Sequence, residues 1–131
     1  MTARIQDAIR NPWVTTLNHP HGRLVGSREP YDVDMDAVIA TAVAEGTALE
    51  INSQPERMDL DGASARRAKL AGARFTISTD AHATRQLAMG SFGIGTARRA
   101  WLGPEDVLNA LSLDAFAEHL AARRRRAESG R

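Results

Sequence analysis

The 131-residue chain has no cysteine, which removes disulfides, thiolate metal sites and cysteine nucleophiles together. Any metal it binds must be held by histidine and carboxylate. No apolar run approaches the roughly 18 residues of a membrane span, and the opening MTARIQDAIRNP is too polar for a secretion signal. The expected setting is cytoplasmic, with no membrane partner. Net charge is only +1, and four arginines stand together at 123–126, so the rest of the chain is net acidic and offers no broad basic surface to nucleic acid. What is present is the composition of a globular domain, 43% hydrophobic and 25% charged, in a chain long enough to bury one core.

Hydrophobic periodicity alternates between the two regular structures. Ile5, Ala8 and Ile9 have helical spacing, and Pro12 ends that run. A strand is expected over 13–17, closed by the turn-rich NHPHGR. Asp34 or Asp36 then caps a helix over 35–45, with Val38, Ile39, Ala42 and Val43 on its apolar face and Gly46 as its stop. TALEI, 47–51, predicts a second strand; 61–71 a helix ended by Gly72; and 74–79 a third strand. Strands separated by helices of this length pair in parallel through right-handed crossovers, which makes the fold class α/β. Beyond residue 82 the pattern is helical: a short helix over 84–89, a glycine-rich turn at GSFGIG, then helices over 94–100, 104–111 and 113–125. GSFGIG follows a helix and not a strand, so it carries little weight as a nucleotide-binding motif and reads as a loop or helix start. The arginines at 123–126 are read as a solvated helix end, and 123–131 as a basic, flexible tail after a domain over 1–122.

Each predicted strand ends in polar residues: Asn18 and His19, then Asn52, then Asp80 and His82. Parallel strands bring those ends to one edge, where α/β folds place their ligands. Imidazole and carboxylate converging there suit zinc, manganese or iron, and such an ion can acidify a bound water. On spacing alone, Asp80 serves equally as a helix cap and His82 as an exposed loop residue. His21 reads as a turn residue beside Pro20, and His119 as a surface or partly packed histidine. Arg23, Arg28 and Arg57 follow strand ends closely enough to reach phosphate oxygens at the same edge.

The segments NHPHGRLVGSREPYDVDMDAVIATA, GTALEINSQPERMDLD, FTISTDAH and GIGTARRAWL, in this order and spacing, resemble the polymerase and histidinol phosphatase (PHP) family of metal-dependent phosphoesterases. The PHP domain of bacterial family X DNA polymerases is the nearest branch, and the likeness runs from about Arg10 to Leu120. The resemblance implies a distorted barrel of strands and helices with a metal cluster at its carboxyl edge. Carried over by position, it makes His19, Asp80 and His82 metal ligands, with manganese or zinc expected and iron as a further choice. Arg23 and Arg57, and more weakly Asn52, become contacts to substrate phosphate. No catalytic residue is implied beyond the ligands.

Family members place an H-x-H motif and further acids and histidines ahead of the matching region, whereas no histidine precedes His19 here. The resemblance therefore implies the later part of a PHP-type barrel, incomplete, with strand edges and an apolar face left open. It would associate with itself or with a missing amino-terminal PHP or polymerase segment. Two functions compete: a phosphoesterase lineage performing 3′-5′ exonuclease or end processing in DNA repair, and a noncatalytic remnant or interaction module. A histidinol-phosphatase-like phosphomonoesterase, acting on a small phosphate ester instead of DNA, is the enzymatic runner-up.

Overall fold

The computed structural model describes residues 1–129. Helix α1 (Thr2–Arg10) leads into a short strand β1 (Thr16–Leu17), then α2 (Met35–Glu45), β2 (Ala48–Asn52), α3 (Gly62–Leu70) and β3 (Phe75–Ser78). A 3-10 turn (Thr84–Met89), α4 (Gly90–Arg99), two further 3-10 turns and the long α5 (Leu113–Ser129) complete the order. The strands form one parallel sheet in the order β1-β2-β3. The fold is α/β as expected, and the sheet does not close into a barrel. Among the described residues, no helix is long and apolar enough to cross a membrane.

Local sequence explains the element ends. The Asp34 carboxylate accepts the Ala37 N–H at 3.0 Å to start α2, and Gly46 ends that helix at φ 70°. Asp61 caps α3 in the same way through Ser64 N–H at 2.8 Å.

Register separates the two faces of the sheet. Leu17 lies opposite Leu49, and Leu49 opposite Phe75, while Ile51 pairs with Ile77. These side chains turn to one face, where Ile9 of α1, Val38 and Ile39 of α2, Ala65 and Ala68 of α3 and Ala97 of α4 pack on them. Burying Leu49, Ile51 and Phe75 completely stabilises by about 1.5–3 kcal/mol each. By alternation the opposite face carries Thr16, Glu50, Asn52, Thr76 and Ser78, and the Thr16 and Thr76 hydroxyls meet at 3.0 Å. That second face is polar, yet its central-strand residues Glu50 and Asn52 are buried as well. The β3 edge is partly covered by Asn109, whose side-chain amide accepts from Ile77 N–H at 3.1 Å and donates to Ile77 O at 2.8 Å.

Several expected elements differ in detail. Trp13 is 71% exposed and lies outside β1. The 104–111 helix is two 3-10 turns, Pro104–Asp106 and Leu108–Ala110. Of the loop or helix start expected at GSFGIG, the structure has the second: it is the first part of α4. A Cβ on Gly93 would come within 2.1 Å of Ser53 Oγ and 2.7 Å of Ile77 Cγ2, so glycine lets α4 lie directly on the strands. That close packing outweighs the cost of glycine in a helix.

The arginine run is divided. Arg123 is buried at 6% exposure, and its guanidinium donates to the carbonyls of Ile9, Asn11, Pro12 and Glu45 and to Thr47 Oγ1. It pins α5 across the ends of α1 and α2, a role that charge patterning cannot distinguish from a solvated helix end. Residues 123–129 continue α5, and Gly130 and Arg131 lie outside the described residues.

Candidate functional site

The carboxyl edge of the sheet gathers the polar strand ends. His19 follows β1 by two residues and Asp80 follows β3 by two; their side chains meet with His19 Nε2 3.6 Å from Asp80 Oδ2. Both backbones take left-handed conformations, φ 50° at His19 and 49° at Asp80. That region is costly for non-glycine residues, although His, Asp and Asn enter it more readily than others, and such strain concentrates at ligand sites. Met58 and Trp101 also have positive φ, so strain alone does not mark the edge.

Each of the pair is held by its neighbours. The His19 N–H donates to Glu50 Oε2 at 2.9 Å, and the Ser78 hydroxyl donates to Glu50 Oε1. Glu50 is only 2% exposed. Its Oε2 also lies 3.4 Å from His19 Nδ1, on the side of the ring away from Asp80. The Asp80 backbone is held from β2's side, where Gln54 Nε2 donates to Thr79 O and Asp80 O. Arg57 Nε lies 3.3 Å from Asp80 Oδ2, so one carboxylate oxygen serves a histidine and an arginine at once.

The other expected residues are more dispersed. His82 is exposed, with its N–H donating to Gln86 Oε1 at 2.6 Å and its Nδ1 2.8 Å from Asp80 O, which leaves Nε2 as the ring nitrogen for a ligand. Asn52 is buried; its Oδ1 accepts Gln54 N–H at 3.0 Å and its Nδ2 lies 3.4 Å from His19 Nδ1. Arg23 donates to the carbonyls of Arg57 and Met58, bracing the loop that carries Arg57. Arg28 donates to Gly22 O at 2.8 Å and lies over the Tyr31 ring.

His21 is not a simple turn residue. It is buried, and Asp59, fully buried itself, accepts from His21 N–H, Gly22 N–H and the His21 ring. Gly22 is obligatory there: at φ 62°, a Cβ would fall 1.9 Å from the Tyr31 ring. Asp61 lies 3.8 Å from the same imidazole. Burial pulls the Asp61 carboxyl up, but the Ser64 N–H, the His21 charge and the Ser64 hydroxyl outweigh it and leave its pKa below 3.8. A cavity of about 460 Å³ borders this loop, lined by His21, Tyr31, Met35 and Arg67 among others; His19 and Asp80 stand on the open edge beyond it.

Imidazole nitrogen and carboxylate oxygen are what zinc and manganese prefer, and His19 Nε2 and Asp80 Oδ2 face one another at a partly exposed position. They fit as two ligands of one ion. Among the described residues, no group of three or more His, Asp or Glu comes together closely enough to hold a metal, and a catalytic zinc takes three protein ligands. The edge therefore brings together two donors of a suitable kind, fewer than a catalytic zinc takes.

Sequence reasoning missed Glu50, Gln54 and Asp59, which hold the edge in shape. One signal was available for Glu50: a carboxylate inside the otherwise apolar ALEI, on the same strand face as Asn52.

No protein-family model matches the chain. It is 39% identical over 110 residues to the DNA polymerase/3′-5′ exonuclease PolX of Bacillus subtilis strain 168, a match covering 84% of this chain and 19% of that protein. The chain is related to that polymerase and spans about a fifth of its length.

Proposed function

We propose that this chain carries the later part of a PHP-type, metal-dependent phosphoesterase site that processes DNA 3′ ends. The observation that carries this reading is the His19–Asp80 pair, brought together across the carboxyl edge from β1 and β3 with Arg57 beside it. The relative's description as a 3′-5′ exonuclease supports it.

His19 through Nε2 and Asp80 through Oδ2 would hold the ion, and the exposed His82 would have to swing toward them to serve as a third ligand. A divalent ion there supplies Lewis acidity toward a phosphoryl oxygen. Arg57 Nε lies 3.3 Å from Asp80 Oδ2, and its guanidinium is placed to turn to phosphate oxygens at the same edge. Arg23 acts one step back, fixing the Arg57 and Met58 carbonyls, and Asn52 acts through the His19 ring. The remaining ligands come from another segment, either an amino-terminal PHP segment or a further copy.

A second reading, a noncatalytic interaction module, is favoured by one observation, the absence of a three-donor cluster among the described residues. The test is hydrolysis of a 3′-end-labelled oligonucleotide with manganese or zinc, using the chain alone and with a separately expressed amino-terminal PHP segment. The phosphoesterase reading expects little hydrolysis alone, a gain on mixing, and loss of that gain in His82→Ala. No hydrolysis in any combination, with the two segments shown to bind, selects the interaction module.

A further inference from the structure

We propose that the amino-terminal end of the sheet, opposite the candidate site, binds single-stranded nucleic acid: Arg74 and Arg126 hold a phosphate in the cavity they line beside Arg123, and the exposed indole of Trp13 stacks on a base next to it. This surface goes beyond the function proposed above and does not rest on it, since binding here needs neither a metal nor hydrolysis.

The sheet is parallel, so residues that precede its strands share the end away from His19 and Asp80. Arg74 directly precedes β3, Gly46 stands just before β2, and Trp13 just before β1. Helix α5 lies across this end and presents His119, Arg123 and Arg126 along one face, at i, i+4 and i+7. With Arg74 these three line a cavity of about 280 Å³. Arg123 and Arg126 also border an adjoining cavity of about 220 Å³, which reaches Arg10 and Pro12. Trp13 follows Pro12 directly, is 71% exposed, and has the Arg124 guanidinium 4.5 Å from its ring centre.

The positive charge here exceeds what the fold itself uses. Arg123 donates to carbonyls at the ends of α1 and α2. Two helix carboxyl ends carry about half a negative charge each, so together they offset one guanidinium. Arg10 is paired with Asp7 and is not counted. Arg74 and Arg126 remain: Arg74 donates to a single carbonyl, that of Glu105, and Arg126 is exposed. Among the described residues, no carboxylate forms an ion pair with Arg74, Arg123 or Arg126; the acid whose charge acts there is Glu45, on Arg123. Guanidinium groups present planar forks that suit phosphate oxygens. A basic groove with an aromatic side chain beside it is the arrangement that holds single strands, the cations tracking the backbone and the ring taking a base.

His119 reports on the cavity from within. Burial is the chief reason its pKa lies below the ordinary 6.5, the hydrogen bond with Gly46 opposes this, and repulsion from Arg74, Arg123 and Arg126 adds to it. A phosphate among those arginines relieves the repulsion, so the His119 pKa rises on binding.

The experiment is an NMR titration of the isotope-labelled whole chain, without metal, with a short single-stranded oligothymidylate, with inorganic phosphate and with an oligoglutamate of matched charge. The oligothymidylate is expected to bind most tightly, to shift the amides of Arg74, Ala122 and Arg126 and the Trp13 indole, and to raise the His119 pKa. Arg126→Gln should weaken it about 10-fold and lower the slope of log affinity against log salt by about 0.7. Trp13→Ala should weaken the oligothymidylate about 10-fold and leave phosphate binding unchanged. Arg125→Gln removes the same charge from an exposed arginine that is paired with Glu118 outside the cavity, and should change neither. Arg125→Gln weakening binding as much as Arg126→Gln overturns the proposal. So does oligothymidylate bound no more tightly than phosphate or oligoglutamate, an unchanged affinity in Trp13→Ala, or shifts centred on His19 and Asp80.

Discussion

Arg123 and His119 lie on the same helix, yet burial gives them opposite relations to charge. Arg123 is always protonated and satisfies four carbonyls and a hydroxyl at once. Arg123→Ala strands those acceptors, and leaving a buried acceptor unmade costs about 1–3 kcal/mol. A loss of about 3 kcal/mol or more is expected in urea unfolding, with Arg123→Lys recovering only part, since one ammonium cannot span the same acceptors. His119 avoids its charge. Burial pushes its pKa below the ordinary 6.5, the hydrogen bond with Gly46 opposes this, and repulsion from Arg74, Arg123 and Arg126 adds to it. Its unfolded form therefore binds more protons than the folded form in the interval below pH 6.5. The stability this confers is complete above 6.5 and is lost as pH falls through the depressed folded value. Melting temperatures measured from pH 7.5 downward should fall more steeply through that interval in wild type than in His119→Gln.

Helix α4 shows how an element can contradict its own propensity. Three glycines within GSFGIG argue for a turn, yet the segment is helical because Gly93 lets α4 touch Ser53 and Ile77. Gly93→Ala, a gain in intrinsic helix propensity, is expected to destabilise by about 1–3 kcal/mol through overpacking, whereas Gly95→Ala, whose Cβ would meet nothing within 4 Å, should be neutral or stabilising. Chemical denaturation of the two variants side by side checks the contrast. The helices with cap residues, α2 and α3, were legible in the sequence because Asp34, Gly46 and Asp61 act locally. The packing of α4 and the burial of Arg123 depend on contacts distant in the chain, which no local pattern carries. The same division holds for the site. His19 and Asp80 were legible as polar residues ending apolar runs, and Glu50 as a carboxylate inside one, but Gln54 and Asp59 become recognisable only when the fold brings their partners to them.

Over the whole molecule, one-sided packing is the organising fact. All the core helices cover one face of a three-stranded sheet, and the other face carries hydroxyls, Asn52 and the buried Glu50. That polar face continues into the carboxyl edge where His19, Asp80 and Arg57 meet, so the polar face and the candidate site are parts of one region. A further segment seated there would bury polar groups that already have partners and, on the function proposed above, would add metal ligands. Without it, two well-placed donors and an exposed histidine should bind a divalent ion weakly, because affinity falls with each missing ligand. The most direct measurement is a manganese titration of the isotope-labelled chain followed by paramagnetic broadening of backbone amides. Broadening centred on His19, Asp80 and His82, saturating at one ion and weakened in Asp80→Asn, is the predicted result; broadening centred elsewhere, or equal in wild type and Asp80→Asn, would contradict it.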